Sequence, residues 1–93
     1  MELTAKKFRV LGQVQGVGFR YFICRQAESL NLAGYVANLD DGSVEVYAIG
    51  PEVALAQLKI ELEQGPRLAE VTAVREETVP INPHYSRGFV VRR

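Results

Sequence analysis

The chain has 93 residues, 47% of them hydrophobic, and its eleven basic and eleven acidic side chains cancel at neutral pH. That length closes one hydrophobic core, so a single domain over residues 1–93 is expected, with no overall field to draw in nucleic acid or an anionic membrane. A lone cysteine, Cys24, excludes an intrachain disulfide scaffold, and the opening MELTAKKF carries no apolar leader, which makes the cytoplasm the expected compartment.

In chain order, alternation from Lys7 to Val14 places Phe8, Val10 and Val14 on one face and Lys7, Arg9 and Gln13 on the other, the pattern of a half-buried strand. A helix is predicted from about Arg20 to Leu30, with Phe19, Ile23, Ala27 and Leu30 at helical spacing and a stop at Asn31 to Gly34. Tyr35 to Leu39 reads as a second strand and Val44 to Ile49 as a third, joined by the tight turn DDGS with Gly42 at positive φ. Pro51 opens a second helix that turns Leu55, Leu58 and Leu62 inward and stops at Gly65. Val71 to Val79 is a fourth strand and Phe89 to Arg92 a short fifth. The order β-α-β-β-α-β is that of an α+β, ferredoxin-like α/β sandwich: an antiparallel sheet with two helices on one face and a short extra C-terminal strand. Many functions share that fold.

Chemistry concentrates in VQGVGFR, residues 14–20. Gly16 and Gly18 lie between a strand and a helix, where backbone N–H groups can turn toward one point and the helix adds its own unpaired donors. Such a concavity suits phosphate or sulfate, and the planar guanidinium of Arg20 suits two phosphate oxygens. A nucleotide P-loop would need Lys-Ser/Thr where Phe19 and Arg20 stand, and a dinucleotide fingerprint would need glycine where Tyr21 stands. The alternative for Arg20 is an exposed ion pair with an acid such as Glu28. For Asn38 it is a turn residue preparing the Asp40-Asp41-Gly42 corner.

GQVQGVGFRYF followed by GYVANLDDGSVEV resembles the acylphosphatase family, whose hallmarks are a V-Q-G-V-G-F-R loop and a later G-x-V-x-N-x-x-D-G-x-V segment. The resemblance spans essentially the whole chain. It implies hydrolysis of acyl phosphates to a carboxylate and inorganic phosphate. By position, Arg20 matches the family's phosphate-binding arginine and Asn38 its water-orienting asparagine. The backbone amides of Gln15, Gly16, Val17, Gly18 and Phe19 match its phosphate cradle.

The chemistry is consistent with that site. A carboxylate leaves readily, its conjugate acid having a pKa of roughly 4, so no general acid is needed. Positioning and electrostatic stabilisation of the phosphoryl oxygens supply most of the catalysis. No cofactor and no metal are expected. His84 and Cys24 stand apart from the loop in sequence, and Asp40 with Asp41 reads as a solvated turn before a magnesium site. The expected partner is a small acyl phosphate, with inorganic phosphate or sulfate as a further occupant of the loop. The chain is expected to act as a monomer, with no nucleic-acid or membrane partner. Other readings are a narrower carbamoyl-phosphate hydrolase, an inactive anion-binding module, and an RNA-binding domain suggested by Arg87-Gly88-Phe89. The last lacks the further aromatics on which bases would stack.

Overall fold

The computed structural model describes residues 2–92. Its elements run β1 (Thr4–Gln13), α1 (Phe19–Ser29), β2 (Ala33–Asn38), β3 (Val44–Gly50), α2 (Glu52–Gln64), β4 (Glu70–Val79), a 3-10 turn (Pro83–Tyr85) and β5 (Phe89–Val91). Each predicted element is present. β1 begins earlier than the alternation indicated, because its first residues pair on both sides: Thr4 opposite Gly50 and Ala5 opposite both Ile49 and Val79.

Local chemistry explains the boundaries. α1 closes with Asn31 in the left-handed region at φ 58°. The N–H of Asn31 donates to the Glu28 carbonyl at 3.1 Å and that of Leu32 to the Ala27 carbonyl at 2.9 Å. This is a Schellman closure with asparagine in the usual glycine position. α2 starts after Pro51, whose φ of −66° suits a helix entry and whose carbonyl accepts from the Leu55 N–H at 3.0 Å.

The five strands are ordered β4-β1-β3-β2-β5. β1 lies antiparallel to β3 and β4, and β2 antiparallel to β3. β1 to β4 thus form the expected antiparallel sheet, and the short extra strand β5 joins it parallel to β2, Val36 opposite Val91, so the five-stranded sheet is mixed. The chain leaves β4 at one edge and reaches β5 at the other through residues 80–88, and that crossing delivers β5 in the same direction as β2.

One face of the sheet carries the main core. Phe8, Val10, Val36, Val44 and Val46 pack there against Phe19, Ile23 and Ala27 of α1 and Leu55, Leu58 and Leu62 of α2, all of them buried. The opposite face is partly covered as well. Tyr35 and Tyr47 stack with centroids 5.4 Å apart, and Tyr85 from the 3-10 turn lies 4.8 Å from Tyr35. The Tyr47 hydroxyl donates to the Pro80 carbonyl at 3.0 Å and accepts from the Asn82 N–H at 2.7 Å, which fastens the crossing segment to the sheet.

The Tyr35 hydroxyl donates to Glu45 Oε2 at 2.8 Å. Burial, and then this carboxylate, push the phenol up to about 12. A pKa raised in the folded state favours folding below the unfolded value and loses that contribution as pH rises through the folded one. Stability should therefore decline between about pH 10 and pH 12 with one extra proton lost by the unfolded chain. Tyr35→Phe, compared with the parent by urea unfolding across that range, should lack this part of the alkaline decline.

Candidate active site

The first determinant of the site is sheet register. Val44 of β3 lies opposite Val10 of β1 on one side and Asn38 of β2 on the other. Residues opposite one another in a sheet share a face. Val10 and Val44 are wholly buried on the helix-bearing face, so the row turns Asn38 to the face on which α1 begins. Asn38 is the last residue of β2 and is exposed, which leaves its amide beyond the packed core.

The second determinant is the loop between β1 and α1. Gly16 and Gly18 have φ of 75° and 77°, and among the described residues no non-glycine in the loop has positive φ. The sign of φ thus alternates through the segment. Alternation of this kind turns successive N–H groups toward one concavity. None of the backbone N–H groups of Gln15, Gly16, Val17, Gly18 and Phe19 donates to a protein acceptor among the described residues. Phe19 is buried in the core and Val17 packs, partly buried, against it, so the loop turns mainly backbone to the surface here.

These parts meet. A hollow of about 180 Å³ is bounded by Gly16, Gly18, Arg20, Tyr21 and Asn38, with Val14 and Phe19 beneath. Arg20 is half-buried and makes no ion pair among the described residues, which removes the alternative of a pair with Glu28. The turn role considered for Asn38 falls to Asp41, whose Oδ1 accepts from the Ser43 N–H at 2.9 Å and from the Ser43 hydroxyl. Those two bonds hold the Asp41 carboxyl below its usual range.

Sequence reasoning missed the side chain of Gln15. Its Nε2 donates to the Leu39 carbonyl at 2.8 Å and to the Ser43 carbonyl at 2.9 Å. One carboxamide therefore ties the glycine loop to both ends of the β2–β3 connection, directly after Asn38. The only signal was the polar residue itself within an otherwise apolar and glycine-rich stretch.

Other reactive groups are not gathered here. Cys24 lies on α1, where burial, then Glu28, push its thiol up against a smaller opposing effect of Arg20. Such a thiol is not activated as a nucleophile. His84 is exposed in the 3-10 turn. Among the described residues no three His, Cys, Asp or Glu side chains come together as a metal site, and no helix is long and apolar enough to cross a membrane. A larger hollow of about 680 Å³ lies on the opposite sheet face around Tyr35, Tyr47 and Tyr85. Size does not select the site; the convergence of unpaired donors does.

The fold defines the class as a small ferredoxin-like α+β protein, with a hollow of free amides and a guanidinium at one end of its sheet. A family model for acylphosphatases matches residues 6–91. An acylphosphatase of Pasteurella multocida is 56% identical over 75 residues, 81% of this chain and 83% of that protein. The crystal structure of acylphosphatase from Bacillus subtilis superposes with a TM-score of 0.91 at 36% identity, covering 99% of this chain and all (100%) of that one. Full-length HypF, in a phosphate- and nucleotide-bound form, contains a similar unit: TM-score 0.90 and 26% identity over 99% of this chain but 12% of that one. The chain belongs to the acylphosphatase family, and it is an enzyme that hydrolyses acyl phosphates.

Replacing Gln15 tests the tether. Gln15→Ala removes two hydrogen bonds, while the Leu39 carbonyl keeps the Gly42 N–H and the Ser43 carbonyl the Leu39 N–H as donors. It should lower the unfolding free energy in urea by about 1–3 kcal/mol, the net worth of two such bonds. Gln15→Glu keeps the shape but has no N–H to donate, and should be no more stable than the alanine variant.

Proposed function

We propose that hydrolysis proceeds by direct attack of water on phosphorus, without a metal and without a covalent enzyme intermediate. In this reading the amides of Gln15 to Phe19 and the guanidinium of Arg20 hold the phosphoryl oxygens, and Asn38 orients the water. The observation that carries it is the common hollow bounded by Arg20, Asn38 and the loop glycines. Among the described residues its walls offer donors for an anion, one side-chain amide and the Tyr21 phenol, and no carboxylate, imidazole or thiol.

The steps follow from those groups. Arg20 and the loop amides fix the phosphate end and oppose the charge on its equatorial oxygens as the bond to the carboxylate lengthens. The Asn38 side-chain carbonyl accepts a hydrogen bond from the water and directs its oxygen at phosphorus. The new P–O bond forms as the bond to the acyl oxygen breaks. The carboxylate leaves with the electron pair, and both protons of the water remain on the product phosphate. Because a carboxylate needs no protonation to depart, the lack of a carboxyl or imidazole acid in the hollow is no obstacle.

The reading extends to inorganic phosphate as a ligand of the same loop and to a monomeric, single-domain, cytoplasmic enzyme over residues 1–93. It assigns the enzyme no nucleic-acid partner, which the balanced charge supports.

Arg20→Lys keeps the charge but not the planar pair of donors. It should lose about a hundred- to thousandfold in rate, together with inhibition by inorganic phosphate. Asn38→Ala should lower kcat to a similar extent while phosphate inhibits as before, since only the water's partner is gone. A folded Asn38→Ala enzyme with normal turnover removes Asn38 from the mechanism. EDTA should leave the parent rate unchanged; a loss on chelation that magnesium restores would replace the metal-free reading. Alkyl phosphates, whose leaving groups need a proton, should be poor substrates.

A further inference from the structure

A second hollow, of about 270 Å³, opens beside the first and is lined by Arg20, Tyr21, Cys24 and Val91. Arg20 and Tyr21 line both, so the two spaces share a wall. Their chemistry differs. Beyond Arg20, the second hollow presents a phenol ring, a thiol and a valine.

The fold explains how these side chains come together. Tyr21 and Cys24 are three apart on α1, and Arg20 and Cys24 four apart, so they follow one side of the helix over about 6 Å. Val91 arrives from the parallel strand β5, which packs beside α1 at the edge of β2. Tyr21 is 68% exposed and Val91 41% exposed, so neither side chain owes its position to burial in the core. The Arg25 guanidinium stands 5.7 Å from the centroid of the Tyr21 ring, one helical turn along, and steadies one edge of the wall.

An acyl phosphate has two unlike ends, a strongly anionic phosphoryl group and an acyl group joined to it through one oxygen. With the first end at Arg20 and the loop amides, the second has the adjoining hollow of Tyr21, Cys24 and Val91 next to it across the shared wall. We propose that this second hollow is the acyl subsite, and that it favours apolar acyl groups, aromatic or branched aliphatic, over small or charged ones. The assignment rests on the placement of the phosphoryl group at Arg20 proposed above. Tyr21 and Val91 are then specificity-determining residues that take no part in bond breaking. Contact with the acyl group contributes remote binding energy to the reaction at phosphorus.

The test compares kcat/KM for benzoyl phosphate and acetyl phosphate in the parent enzyme, Tyr21→Ala, Tyr21→Phe and Val91→Ser, with the inhibition constant of inorganic phosphate measured for each. The intrinsic difference between the two leaving groups cancels when the benzoyl-to-acetyl ratio is compared across variants. Tyr21→Ala should lower that ratio about tenfold, the smaller end of what one apolar contact in a pocket discriminates. Val91→Ser should lower it in the same direction, and Tyr21→Phe should keep it. Phosphate inhibition should stay at the parent value in Val91→Ser, because Val91 lines the second hollow and not the first. A ratio unchanged in both Tyr21→Ala and Val91→Ser overturns the subsite, as does an equal loss on both substrates. Arg20→Lys, assayed alongside, keeps the two readings apart. Undiminished phosphate inhibition in that variant overturns the phosphate site itself, whereas an unchanged ratio with phosphate inhibition lost in Arg20→Lys overturns the acyl subsite alone.

Discussion

The row Val10–Val44–Asn38 across three neighbouring strands is the constraint on which the site depends. The first two side chains are fixed in the core by the apolar surface they bury, on the order of 2 kcal/mol each. Their burial settles which way the third must turn. Because side chains alternate with a period of two, slipping β2 by one residue would expose Val36 to the opposite face and carry Asn38 away from α1. The hydrophobic core thus specifies the orientation of a polar group that it does not contain.

Register alone sets the direction of Asn38 but leaves the loop to find its own place. Gln15 closes that gap, since its bonds to the Leu39 and Ser43 carbonyls fix the loop to the strand connection. Phe19, buried in the core, and Val17, packed against it, anchor the same segment from below. The glycines between these anchors adopt the left-handed conformations that leave the loop amides unpaired. Rigidity and unsatisfied donors are therefore supplied by different residues of one short segment. That separation is what a preorganised electrostatic site requires.

Periodicity made most of this fold legible. Phe8 and Val10 alternate with charged neighbours, and Leu55, Leu58 and Leu62 recur at helical spacing before Gly65; each pattern led to the right element and the right buried face. Two features escaped for physical reasons. β5 has three residues, too few for a pattern to reveal which strand it joins or in which direction, so its parallel pairing with β2 was not foreseen. The early start of β1 was hidden because Lys6, next to Lys7, breaks the alternation of apolar and charged residues. Lys6 is held in the fold by Glu76 at 2.9 Å and Glu52 at 3.3 Å. In the site, the residue types at Gly16, Gly18, Arg20 and Asn38 carried the chemistry in the sequence. The tether from Gln15 did not, since a glutamine's partners across more than twenty residues leave no local trace.

The position of β1 in the sheet has a consequence for how the chain acquires its structure. β1 is synthesised before both strands it pairs with, yet it lies in the interior of the sheet, and its partners are residues 44–50 and 70–79. Closing such long loops costs chain entropy before any pairing compensates for it, which slows folding relative to a protein of local contacts. On a growing chain, β1 has one edge open until β3 emerges and the other until β4 does. An apolar strand waiting that long is a template for pairing with other chains. Lys6, Lys7 and Arg9, interleaved with Phe8 and Val10, put repelling charge along that waiting strand, and so guard the nascent chain at the point where it is unprotected longest.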